Sequence, residues 1–171
     1  ELMTTPRALF APYWAQLIEA LGAAKVKAVA FDVLLSFSGN DFKDSYDKPF
    51  IRAVGENRER IVLGRSAKTL PTRPLQAALR FGENALGMLE LTPEADGVYR
   101  IVPTAIESAD GDLHPTLLAA TLRKAGEISV PDEILLAPQE HLEAIPSYAL
   151  IDILRCAETD PQQIERAFSG R

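Results

Sequence analysis

The 171-residue chain holds one cysteine, one tryptophan, two methionines and two histidines. A lone Cys156 cannot close an intramolecular disulfide, so the fold must rest on its packed core. That suits the cytosol and equally a periplasmic domain that dispenses with bridges. Basic charge is short as well, with 18 Lys and Arg against 24 Asp and Glu for a net charge of -6. Binding a phosphate backbone needs a basic surface that releases counterions, so this balance argues against a nucleic-acid partner and disfavours an anionic membrane surface. The longest apolar runs, such as AVAFDVLL, stay well short of the roughly 20 residues that cross a bilayer. These residues are therefore expected not to span a membrane. The opening ELMTTPRALF has neither an initiating Met nor the basic start and apolar core of a signal peptide, and reads as a piece of a longer chain.

Enzyme signatures are missing too. There is no G-x-S-x-G elbow, no phosphate-binding G-x-x-x-x-G-K-[ST], no G-x-G-x-x-G after a strand and no Cys/His metal spacing. No catalytic residue, cofactor or metal is expected.

What remains is an ordinary globular composition, 47% hydrophobic and 25% charged, in a length that suits one domain with a sizeable core. Phe10, Tyr13, Trp14, Leu17, Ile18 and Leu21 recur at helical spacing and predict an amphipathic helix closing at Gly22. KAVAFDVLL (27–35) is apolar on both alternating faces, as a central strand covered on both sides would be. A short helical piece near 48–57 and a second buried strand, RIVLGRSA (60–67), repeat the alternation. ALGMLEL (85–91) and VYRIVPTAIES (98–108) flank TPEADG and predict antiparallel strands joined across that loop. Pro115 suits the first turn of a helix turning Leu117, Leu118, Thr121, Leu122 and Ala125 inward, with Gly126 past its end. EILLAP (133–138) reads as a short strand, Ser147 as a cap for YALIDILRC, and Asp160 with Gln163 as the cap of a last helix. The sum is an α/β fold: a mixed, partly parallel central sheet, helices on both faces, and an antiparallel strand pair near residues 85–108.

Three pieces in order, KAVAFDVLLS, EADGVYRIVPTAIESADGDLHPTLLAATL and IPSYALIDILRC, the last followed by a short Pro-started helix, closely resemble the CHASE domain of type two. That is the cyclase- and histidine-kinase-associated sensory extracellular domain of bacterial transmembrane receptors. The resemblance runs from about residue 7 to 171 and implies a single extracytoplasmic, periplasmic sensory module. Its parent would be anchored in the inner membrane and carry a nucleotide cyclase, histidine kinase or protein kinase output. Asp96 and Gly97 with Val98 and Arg100, and Gly111 and Pro115 with Leu117, fall on the family's turn-and-strand signatures, which implies a structural role for them. The family continues past the position of Gly170 with a Gly-Lys and an apolar strand, so either a late strand is missing from these residues or this member differs there.

Candidate ligand contacts are Asp32, Ser36, Arg65 and Arg100. Asp32 interrupts an apolar strand, where a buried carboxylate needs hydrogen bonds or a cation to offset desolvation; anchoring nearby loop amides is its commoner use. Arg100, on the strand after the Asp96-Gly97 turn, suits an anion or, more commonly, an ion pair with Asp96 or Glu94. Asp41, Asp44 and Asp47 lack the ligand alternation, Gly and terminal Glu of a Ca²⁺ loop and read as a solvated loop or helix start. His114 at a helix start suits a pH response, though capping or exposure is commoner; His141 carries no signal, and Cys156 reads as a small hydrophobe. The leading reading is a sensor of an unknown small ligand or periplasmic protein. The alternatives are a homodimerisation or protein-interaction module, hinted at by aromatics near the N-terminus, and a small α/β enzyme of unrecognised pattern.

Overall fold

The computed structural model describes residues 6, 9–82, 84–108, 111–127, 129–136 and 146–170. Helix α1 (Ala11–Ala23) leads into strand β1 (Val29–Leu34), helix α2 (Lys48–Glu56), strand β2 (Ile61–Arg65), helix α3 (Arg73–Ala78) and strand β3 (Leu86–Met88). The three strands form one parallel sheet in the order β1-β2-β3. Short strands β4 (Ile101–Pro103), β5 (Ala105–Glu107) and β6 (Leu113–Pro115) follow, then helix α4 (Leu117–Lys124), strand β7 (Glu133–Leu135) and helices α5 (Leu150–Thr159) and α6 (Pro161–Phe168). β4 pairs antiparallel with β7, and β5 with β6. The mixed α/β class expected from the sequence is the one observed.

The core divides along the period-two alternation of β2. Ile61 and Leu63, both fully buried, meet Phe31 of β1, Ala15 and Ile18 of α1, Phe50 and Val54 of α2 and Leu75 and Leu79 of α3. The opposite face is served by α4, which packs on β2 and β3 through Ala119 and Ala120. Helices therefore lie on both faces.

Several details differ from expectation. β1 is not central. It pairs only with β2 among the described residues, and beyond Phe31 its side chains are exposed. An apolar strand at an edge looks the same in sequence as a central one, and β2, buried from Ile61 to Gly64, takes the central place. Residues 85–91 and 98–108 do not pair with each other: β3 joins the parallel sheet, and β4 finds its antiparallel partner some thirty residues on, in β7. Pro115 closes β6 instead of opening a helix. α4 begins two residues later, where the Thr116 hydroxyl accepts the Ala119 amide at 3.3 Å. Its buried face is accordingly Ala119 and Ala120, with Leu118 partly exposed. At α5 the cap position is Ala149, with no side-chain bond, so Ser147 does not cap it. Asp160 does cap α6, accepting from the Gln163 amide at 3.3 Å.

Thr116 also ties the two sheet systems together. Its amide donates to the Thr104 carbonyl at 3.0 Å, while Thr104 donates its own amide and hydroxyl to the Asp132 carbonyl, each at 2.9 Å. Thr116 bridges Met88 in parallel fashion. Between these contacts lies Gly87, whose missing Cβ makes the approach possible: a methyl group there would run into the Leu117 backbone.

Gly87→Ala should destabilise the fold by about 3 kcal/mol, since backbone cannot move aside as a side-chain tip can. Gly55→Ala, in α2 and within ordinary contact of Ala78 at 3.8 Å, should instead stabilise it by about 0.5–1 kcal/mol through helix propensity. Urea midpoints of the two variants, moving in opposite directions, check the pair.

Candidate functional site

At the carboxyl end of β1 the chain turns through residues 35–47 and closes on itself. The loop is latched by Asp47, 8% exposed, whose carboxylate accepts the Gly39 amide at 3.0 and 3.1 Å and the Ser38 hydroxyl at 2.7 Å. The return bond runs from the Asp47 amide to Asn40 Oδ1 at 3.1 Å, and Ser38 Oγ accepts the Asn40 amide at 3.2 Å. Asp47 stands at the start of α2, one of the two places expected for it, but as a buried anchor rather than a solvated group. Asp41 and Asp44 are exposed as expected. Sequence spacing hid the difference because Asp47 finds its donors eight and nine residues upstream.

The latched loop forms one wall of a cavity of about 330 Å³. Val33, Leu34, Leu35 and Phe37 line it from the strand end and loop, Ala11 and Trp14 from α1, Phe50 from α2 and Leu75 from α3. The aromatic side is fixed by a relay of edge contacts, Trp14 to Phe31 at 5.5 Å and Phe31 to Phe50 at 5.8 Å between ring centres. The α3 side is tied down by the Thr72 amide donating to the Leu35 carbonyl at 2.9 Å. Asp47, the one charged residue of the lining, turns both carboxylate oxygens to the loop.

The aromatics expected to be exposed near the N-terminus are packed instead. Phe10 meets Tyr13 edge to face and Trp14 at a tilt, and the Tyr46 hydroxyl donates to the Leu9 carbonyl at 2.8 Å.

The four candidate ligand contacts fall in different places. Asp32 is exposed, on the α4 side of β1, beside a cavity of about 290 Å³ lined also by Met88, Val102, Leu118 and Leu136. The expectation of a buried carboxylate does not hold, because β1 is an edge strand with that face open. Ser36 is exposed in the loop. Arg65 lies at the carboxyl end of β2 in a third cavity, near His114. Arg100 takes the ion-pair role, reaching Glu94 at 3.0 Å and Asp96 at 2.8 Å in an exposed cluster. The Asp96 carboxylate also accepts the Val98 amide at 3.1 Å, and Gly97 holds φ +81° in that turn. Gly111 holds φ +83° in the reversal between β5 and β6, and His114 and Pro115 are half-buried on β6. Cys156 is half-buried, and its thiol faces the Asp160 carbonyl and the Gln163 amide oxygen. His141 lies outside the described residues. No group of three or more metal-ligating side chains gathers among the described residues, and no helix among them is long and apolar enough to cross a membrane.

A model of the CHASE2 domain matches residues 10–171. The chain belongs to the CHASE2 family. CHASE2 domains are sensory extracellular domains of receptors, so the cavities of this one are read for what they could bind and relay. Searches among curated proteins and among solved structures each found no significant match.

The Val98 amide, and after it the Arg100 guanidinium, hold the Asp96 carboxyl below the usual carboxylate range. A depressed folded-state value stabilises the turn above the unfolded value, and that contribution is lost as pH falls through the folded one. An NMR titration of the Asp96 side chain should therefore show a midpoint below about 3.9. In Arg100→Ala the midpoint should move up toward that value without reaching it.

Proposed function

We propose that this CHASE2 domain senses a small, neutral, largely apolar molecule held in the cavity between α1, α2, α3 and the end of β1. The observation that carries the reading is that cavity itself: about 330 Å³, within the range of small-molecule sites, and placed outside the carboxyl end of a parallel strand, where open α/β sheets bind ligands. Its lining favours an uncharged occupant, because both oxygens of the Asp47 carboxylate already accept from the Gly39 amide and one also from the Ser38 hydroxyl, and an added cation would compete with the bonds that shape the wall. The parent protein under this reading is a bacterial transmembrane receptor, the domain facing the periplasm and the output being a nucleotide cyclase, a histidine kinase or a protein kinase.

Relay has a mechanical basis in α1. Ala11 and Trp14 in its first turns line the cavity, while the same helix packs against α5 and α6. Ala20, Ala23 and Ala24 at that end face Ala157, Pro161 and Ile164 across a small cavity. A ligand that prefers one position of α1 over another biases where the C-terminal helices sit, and differential affinity of this kind is what allows a ligand to shift a conformational equilibrium.

A second reading, docking of a protein partner or a second copy, is favoured by exposed apolar residues around the antiparallel pairs, including Tyr99, Ile101, Leu113 and Leu135.

Trp14 is the single tryptophan of the chain, so intrinsic fluorescence reports on the cavity directly. A screen of small neutral compounds should yield a ligand that shifts Trp14 emission and, at 100 times its Kd, adds about 2.7 kcal/mol to stability, raising the thermal midpoint by about 5–11 °C. Ala11→Leu, which fills the space, should keep the fold and abolish both responses. Absence of any saturable response, together with concentration-dependent dimerisation in sedimentation, would replace the ligand reading with the docking one.

A further inference from the structure

A separate cavity, about 210 Å³, opens on the other side of α3. Gln76 and Leu79 line it from α3, Leu86 from β3, and His114 and Pro115 from β6, with Arg65 at its edge. Arg65 is half-buried at the end of β2 and makes two contacts there, from Nε to the Ser66 carbonyl at 3.3 Å and from Nη1 to His114 Nδ1 at 3.5 Å. A guanidinium carries five N–H donors. Among the described residues no carboxylate lies within ion-pair distance of it. A cation set against an apolar wall without an anion is an unfavourable arrangement on its own. The mouth is unusual as well: Arg80 and Phe81 hold φ +55° and +51°, a region non-Gly residues seldom adopt, and the Phe81 ring is 71% exposed at the rim.

We propose that this cavity is an anion subsite for a small organic carboxylate. The carboxylate lies between Arg65 and His114, and its apolar body rests against Leu79, Leu86 and Pro115 under the Phe81 ring. The guanidinium fork supplies charge-assisted bonds of the geometry carboxylates accept. A cavity of this volume limits the ligand to a single ring or a short branched chain. The site is independent of what fills the cavity beside Trp14.

Benzoate is a suitable probe, with benzamide as its neutral counterpart and inorganic phosphate as an anion without an apolar body. Titrated into the 171-residue chain and followed by NMR, benzoate should bind saturably and shift the His114 ring resonances while leaving the Trp14 indole in place. Benzamide and phosphate should each bind at least about tenfold more weakly, as expected when a charge-assisted bond or the apolar contact is removed. Arg65→Gln should weaken benzoate by about tenfold or more with an unchanged circular dichroism spectrum. Arg65→Lys, which keeps the charge without the fork, should fall between. If Arg65→Gln does not fold, His114→Gln and the ligand comparison still decide the matter. The proposal is overturned by no saturable response to benzoate, by equal binding of benzoate and benzamide or of benzoate and phosphate, by a response at Trp14 instead of His114, or by full benzoate affinity in a folded Arg65→Gln.

Discussion

The arrangement turns on the absence of one side chain. At Gly87 the last strand of the parallel sheet comes so close to the start of α4 that a Cβ would strike the Leu117 backbone. That approach lets Thr116 bridge Met88, accept the Ala119 amide as the helix cap and donate to Thr104 in one place. Thr104 in turn joins the β4-β7 pair through Asp132. Both threonines are buried, at 4% and 1% exposure, and each has the polar partners that burial demands. Two short antiparallel pairs, neither large enough to stand alone in water, are thereby hung on the edge of a well-buried parallel sheet.

The same economy of contacts shapes the site at the other edge. β1 ends on Val33 and Leu34, both exposed, after a register shift against β2 and with no strand on its other side among the described residues. The loop that follows would be an entropic burden if it were loose. Asp47 removes that freedom, since its two oxygens take the Gly39 amide and the Ser38 hydroxyl and so convert residues 35–47 into a fixed wall. A cavity with one rigid wall and three helical ones keeps its shape when empty, which lowers the cost of filling it.

Much of this was legible in the sequence, and the failures have a common cause. The helices with a clear apolar stripe, the strands at 29–34 and 61–65 and the Asp160 cap are set by neighbours within a few residues, which period and capping chemistry read well. The resemblance to CHASE2 rested on such local pieces in order. What could not be read was long-range pairing. An edge strand and a central one are equally apolar; β4 and β7 meet across some thirty residues; and Asp47 is anchored from a turn away rather than by its own helix. Asp32 was misjudged through the same error, because its burial depended on a neighbour for β1 that the local sequence cannot supply. Arg65 was picked out as a ligand contact, but its companion proved to be His114, brought in by β6, not Asp32 or Ser36.

α3 separates the two cavities and is the shortest α-helix among the described residues. At six residues, with no side-chain cap, it is far below the length at which a helix persists alone, so its position is dictated by what it touches. On one side Leu75 faces the cavity beside Trp14, and the Thr72 amide holds the Leu35 carbonyl; on the other Gln76 and Leu79 face the Arg65 cavity. Gln76 also donates to the carbonyl of buried Pro71 at 2.6 Å and accepts the Phe81 amide at 3.1 Å, so the start of the helix and the strained rim answer to one residue. Both cavities therefore take part of their wall from one short segment whose position the surrounding core fixes.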